Sequence, residues 1–273
     1  MPVVKLSFSD VLSESFGFFF ANIRLFFHLV TIPWIMSVVI GMVGATFAGD
    51  SLFAALIERA VEVIPTVMFL AAWQRVVLLG PGRVGRLPGL GWSARESAYL
   101  VHLIKVAGVT FFLGAAFSLT VISLDPGAFN VGGQIDPEVE RQGAMAAPLG
   151  VGFMVSMLLA MRVSYGLAAT AVDVPFSPRL SWVYSRGNAW TIIGLIFLTL
   201  FMGATVTLIA AFIVGLLVAG VLGARDGATV VTWTVATLIS YGGAGLAATV
   251  QAVIFRRLLA WREGAPLPAL SES

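Results

Sequence analysis

Glu58 and Glu62 stand four residues apart, which puts both carboxylates on one face of a helix. Such a pair has the outline of a cation or proton site. Solvated carboxylates at a membrane edge show the same spacing, and Arg59 is expected to pair well with neither. The chain has two histidines, His28 and His102, too few for a histidine-rich metal cage. Each reads as an interfacial polar tip rather than a ligand. Arg162 is separated from Asp173 by ten apolar or weakly polar residues. An ionisable group held inside a membrane is costly, so it is a functional candidate by default. The forked donors of Arg162 suit a lipid phosphate. The competing reading makes Arg162 the end of a helix, snorkelling to the interface. Gln74 and Gln251 are expected to bond across helices.

Catalytic constellations are missing from the sequence. Gly80-Pro81-Gly82-Arg83 lacks the Gly-Lys-Ser/Thr end of a phosphate cradle. No Ser-His-Asp set is expected, and His28 and His102 stand too far apart in sequence for a His-Glu-x-x-His run. Zero cysteines exclude disulfides, thiolate metal sites and cysteine nucleophiles. The expectation is a chain that is not an enzyme and takes no cofactor.

The elements that must carry these residues are membrane elements. Of 273 residues, 59% are hydrophobic and 11% are charged, against about 25% charged in soluble domains. Thirty charges cannot coat a soluble globule of this size. A spanning helix needs about 20 mostly apolar residues. Six stretches qualify, at about Phe26–Ala48, Ile57–Leu79, Leu103–Leu124, Ala144–Ser164, Trp190–Leu222 and Ala228–Phe255. The segments Gly80–Gly91 and Asp125–Pro148 are expected to be loops. Met1-Pro2-Val3-Val4-Lys5 does not open a signal peptide, because Asp10 and Glu14 fall where an apolar region belongs.

Charge then sets orientation. With the N-terminus in the cytoplasm, thirteen of the 16 basic residues fall on the inner side and only Arg59, Arg141 and Arg225 fall outside. Eight of the 14 acids lie outside. The net charge of +2 is thus a sum of two opposed faces. The positive-inside rule predicts a bacterial inner-membrane protein with both termini cytoplasmic. No basic, aromatic-interleaved patch points to nucleic acid.

An internal repeat is expected as well. Phe8-Ser9, Trp92-Ser93 and Phe176-Ser177 are each 84 residues apart. Each pair is followed by a mixed segment and a span, and each serine can cap a helix start. Arg75, Arg162 and Arg256 mark the ends of the return spans. The mixed segments, which include Arg24, Arg95, Lys105 and Arg186, suit the headgroup layer. Small residues predict close helix contacts. One stripe is Gly203, Thr207, Ala211, Gly215, Ala219, Gly223, and another is Ala236, Ser240, Ala244, Ala248, Ala252. The two are expected to face each other or a third helix across a short turn at Ala224–Gly227, so that Gly215→Leu disrupts folding.

The layout resembles the multi-span membrane domain found beside glycerophosphodiester phosphodiesterases. Met161-Arg162-Val163-Ser164 carries the resemblance, with Leu180-Ser181-Trp182-Val183-Tyr184-Ser185-Arg186-Gly187-Asn188-Ala189-Trp190. The phosphodiesterase catalytic domain is absent, so the resemblance implies a membrane fold and no hydrolysis.

The resulting expectation is an all-α integral membrane protein of six transmembrane helices. They form three hairpins, each preceded by an interfacial amphipathic helix. One membrane domain covers residues 1–263, with pseudo-repeats at about 8–80, 92–174 and 176–262. Residues 264–273 form a flexible tail. The expected role is a non-enzymatic scaffold or accessory protein contacting lipids, a membrane-protein partner or a second copy. Arg75, Arg162, Arg186 and Arg256 are its candidate lipid-headgroup or interface residues. The alternative is a small transporter with a pathway between the repeats.

Overall fold

A computed structural model describes residues 4–47, 52–83, 92–124, 137–222 and 225–264. The described residues are helical, without strands. Ser7 caps α1 (Phe8–Ala21), its hydroxyl accepting from the Asp10 N–H at 3.4 Å. Asn22 ends α1 by donating its backbone and side-chain N–H groups to the Phe18 carbonyl, and α2 (Ile23–Phe47) starts at the next residue. α3 (Leu52–Leu79) runs back beside α2, with Glu58 against Gly44. α4 (Ala94–Leu124) pairs with α5 (Pro137–Ser164), and α8 (Ala189–Leu222) pairs with α9 (Arg225–Leu258). The short helices α6 (Leu167–Ala171) and α7 (Pro178–Tyr184) join the second pair to the third.

Five helical stretches are long and apolar enough to cross a membrane: Ile23–Gly44, Leu56–Leu79, Ala94–Phe117, Ala189–Val218 and Val230–Leu258. Their outward faces carry large apolar side chains, including Phe112 at 73% and Leu208 at 71% exposure. Water would penalise such a surface, whereas hydrocarbon would not. The expected fourth span lies in α5, but its apolar run covers only Gly150–Ser164.

Several boundaries differ from expectation. Residues 137–148 are not loop: they are the first turns of α5. Pro137 opens that helix, where its fixed φ helps and its missing N–H is not needed. The second amphipathic segment is not a separate helix, because α4 runs unbroken from Ala94 to Leu124. Nothing interrupts it as Asn22 interrupts the first, or as Gly187, at φ 80°, interrupts the third. Ser93 and Ser177 cap α4 and α7, but at the first helix the cap is Ser7 rather than Ser9. Ser93 also donates its N–H to Glu96 at 2.9 Å, completing a reciprocal capping pair. α9 begins at Arg225, so the expected Ala224–Gly227 turn is mostly helix. In the C-terminal tail, residues 265–273 lie outside the described residues.

The core lies where α1, α2, α3 and α9 meet. Phe26 packs edge-on against Phe69 at 5.6 Å, and Phe69 against Tyr241 at 5.3 Å. Trp73 is fully buried beneath them and donates to Thr249 Oγ1 at 2.9 Å. A Cβ on Gly245 would stand 3.1–3.2 Å from Phe26, Phe19 and Phe69, so a small residue is needed there for the rings to reach α9. Burying the Trp73 indole without a partner would cost a hydrogen bond, and Thr249 meets that need.

Candidate functional site

The starts of α2, α4 and α8 and the ends of α3, α5 and α9 share one end of the bundle. Arginines gather there, and their partners come from elsewhere in the chain. Arg75, on α3, donates to the Ala171 carbonyl at 2.9 Å and to Asp173 at 3.3 Å. Arg95, on α4, grips the same carboxylate with two donors, Nε to Oδ1 at 2.9 Å and Nη2 to Oδ2 at 2.9 Å. Forked pairs of this kind fix orientation as well as charge. Asp173 sits just after α6 in a left-handed conformation, φ 60°, which Asp tolerates better than most residues. Burial alone would raise its carboxyl. The hydrogen bond and charge of Arg95, with those of Arg75, outweigh this and hold it below its ordinary range.

Arg162 donates to Ser185 Oγ at 2.9 Å and to the Trp182 carbonyl at 3.2 Å, and its guanidinium lies 3.5 Å over the Trp182 ring. That stacked geometry is one that lysine would not reproduce. Arg256 pairs with Glu14 on α1. Arg257 joins the same carboxylate at 2.5 Å and stands 3.9 Å from Asp10. Arg186 is exposed in the turn before α8 and makes no ion pair among the described residues. Three of the four candidate arginines therefore tie helices together, and each does so with a different segment.

The remaining polar groups also join distant segments. The Gln74 amide donates to Gln251 Oε1 at 2.9 Å, and Gln251 donates to Ser164 Oγ at 3.2 Å. This chain links α3, α9 and α5. Asn188 is 3% exposed and holds the N-terminal segment with both halves of its amide. Its Oδ1 accepts from the Leu6 N–H and its Nδ2 donates to the Val4 carbonyl, each at 2.8 Å. Arg59 does pair with Glu62, at 2.7 Å, because residues three apart are neighbours on a helix. Glu58 instead lies against Gly44, so the two carboxylates do not form one site.

The small-residue stripes meet only in part. Gly203 touches Gly243 rather than Ala244, and Gly215 lies in ordinary contact with Thr232. Ala248 is buried, and Ala211 and Ala244 are half-buried. The side chain of Ala219 and the whole of Gly223 lie outside the described residues.

Asp173, Glu14, Asn188 and Trp182 are the partners that sequence reasoning did not single out as such. Asp173 left a trace, as the only charge between Arg162 and Arg179. Two clefts flank it. One, about 450 Å³, lies between α4 and the linker from α6 to α7; the other, about 470 Å³, reaches Trp261. Among the described residues, no group of three or more His, Cys, Asp or Glu could hold a metal ion. Comparison with protein-family models, curated proteins and solved structures gives no match.

Proposed function

We propose that the chain is a non-enzymatic integral membrane scaffold or accessory protein that contacts lipids or a membrane partner. One observation carries the reading. Arg75, Arg95, Arg162 and Arg256 are each taken up by groups of the chain itself. Their donors hold the bundle together rather than converge on a reacting centre.

The same reading includes six spans, with α5 as the sixth. α5 has 28 residues, enough to cross, and packs along α4. The packing of α2 with α3, α4 with α5 and α8 with α9 supports three hairpins, and the capped starts at Ser93 and Ser177 support a repeat. The basic end is assigned to the cytoplasmic face of a bacterial inner membrane, with both termini there. The kinship proposed is with the membrane domain that accompanies glycerophosphodiester phosphodiesterases. Trp182, which stacks on Arg162, and Asn188, which clamps the N-terminal segment, both belong to the run that carries that resemblance.

Gentle extraction from native membranes, followed by mass spectrometry of the purified chain, tests the role. Retention of a stoichiometric membrane protein or of bound phospholipid is expected. Solute flux that appears only when the chain is present in sealed vesicles would overturn the reading in favour of a transporter.

A further inference from the structure

Lys105, which the arginine ties leave out, and His102, whose buried Nε2 has no partner, both line one cleft. This cleft, about 450 Å³, is lined by Arg95, Val101, His102, Lys105, Thr170 and Phe176 among others. Lys105 is exposed and makes no ion pair among the described residues. Arg95 lies on the same rim, its charge shared with Asp173. His102 is 5% exposed, with Nδ1 2.9 Å from Thr170 Oγ1 and a buried Nε2 that has no partner. In the tautomer that lets the Thr170 hydroxyl donate to Nδ1, Nε2 carries the proton and is free to donate. A buried donor with nothing to bond is costly, and an anionic oxygen would satisfy it.

The surface below the cleft is apolar. One turn along α4 from Val101, Ile104 is 58% exposed. Further along, a Cβ on Gly108 would meet nothing within 4 Å, and Phe111 and Phe112 are 55% and 73% exposed. Positive charge at the end of the bundle, followed by an open apolar strip along the same helix, matches the order of phosphate and acyl chain in a phospholipid.

We propose that this cleft holds the phosphate of an anionic phospholipid, bonded to Lys105 and His102 Nε2, with an acyl chain along the exposed strip of α4. The proposal rests on the lipid-contacting reading above and gives it a site. It is tested by native mass spectrometry of the full chain in detergent, titrated with phosphatidylglycerol or phosphatidylcholine. Phosphatidylglycerol is expected to bind in preference. Lys105→Gln is expected to weaken it about fivefold, the effect of removing one basic residue at an anionic surface. His102→Asn keeps a polar group near Thr170, removes Nε2 and is also expected to weaken binding. Arg59→Gln, an exposed charge on α3 that does not line the cleft, is expected to leave it unchanged. Equal binding of phosphatidylcholine overturns the proposal. Phosphatidylglycerol binding that ignores Lys105→Gln and His102→Asn overturns the site but leaves a lipid-contacting scaffold standing. Displacement by millimolar glycerol phosphate assigns the cleft to a soluble phosphate and overturns the lipid.

Discussion

A Cβ placed on Gly203 would stand 2.9 Å from the Cα of Gly243, so α8 and α9 touch backbone to backbone at that level. Without a hydrophobic drive between helices in lipid, such contact is what holds them. Gly203→Ala is expected to force the pair apart and destabilise by about 1–3 kcal/mol. Gly215 is different: Thr232 Oγ1 lies 3.6 Å from its would-be Cβ, an ordinary contact. Gly215→Ala is expected to be neutral, or stabilising by up to about 1 kcal/mol through helix propensity. Thermal midpoints of the two variants in detergent check this, and equal losses would count against the contact.

The Asp173 junction makes an acid-side prediction. Its carboxyl titrates below the ordinary range when folded, so its stabilisation is complete above that range. It is lost as pH falls through the lower, folded value. The side chain is 55% exposed, so screening limits the effect of Asp173→Asn to about 1 kcal/mol at neutral pH. The variant is expected to melt earlier at pH 7 and to converge with the parent in strong acid. A constant offset from pH 7 into strong acid would show that charge plays no part.

How much of this could be read beforehand depended on the physics of each feature. Apolar runs long enough to span are a composition signal, and they appear as helices at nearly the expected places. The Gln74–Gln251 bond was also legible, because an amide inside an apolar helix needs a partner. The partners of Arg75, Arg162 and Arg256 were not. They come from 98, 23 and 242 residues away, and no local pattern encodes which distant acid or ring a guanidinium will meet. The Gly203–Gly243 contact was half legible: a stripe of small residues marks a helix face, but the rotation of its neighbour decides which glycine touches.

Asn188 predicts a local effect. Its amide closes a two-bond clamp on Val4 and Leu6, at the segment that leads into α1. A hydrogen bond is worth about 1 kcal/mol, or about a fivefold change in a local opening equilibrium. Asn188→Ala is expected to speed hydrogen exchange at the Leu6 amide by at least that factor, with helices α3 and α9 unaffected. Unchanged exchange at Leu6 would mean that the clamp does not hold in solution.

The bond between Gln74 and Gln251 can be weighed by a double-mutant cycle with leucine at each position. Interhelical hydrogen bonds in membrane proteins couple by about 0.6 kcal/mol on average. A coupling of that size is expected, and either single variant should cost more than the pair implies because it strands the other amide. Strictly additive losses would show that the two side chains act independently.

The proposed orientation has six crossings, with the arginine end facing the cytoplasm. The chain has no cysteine, so single cysteines introduced as Ile135→Cys and Ser271→Cys each report alone. In intact spheroplasts, a membrane-impermeant maleimide is expected to label position 135 and to reach position 271 only after lysis. Labelling of position 271 from outside, or protection of position 135, would contradict the assignment.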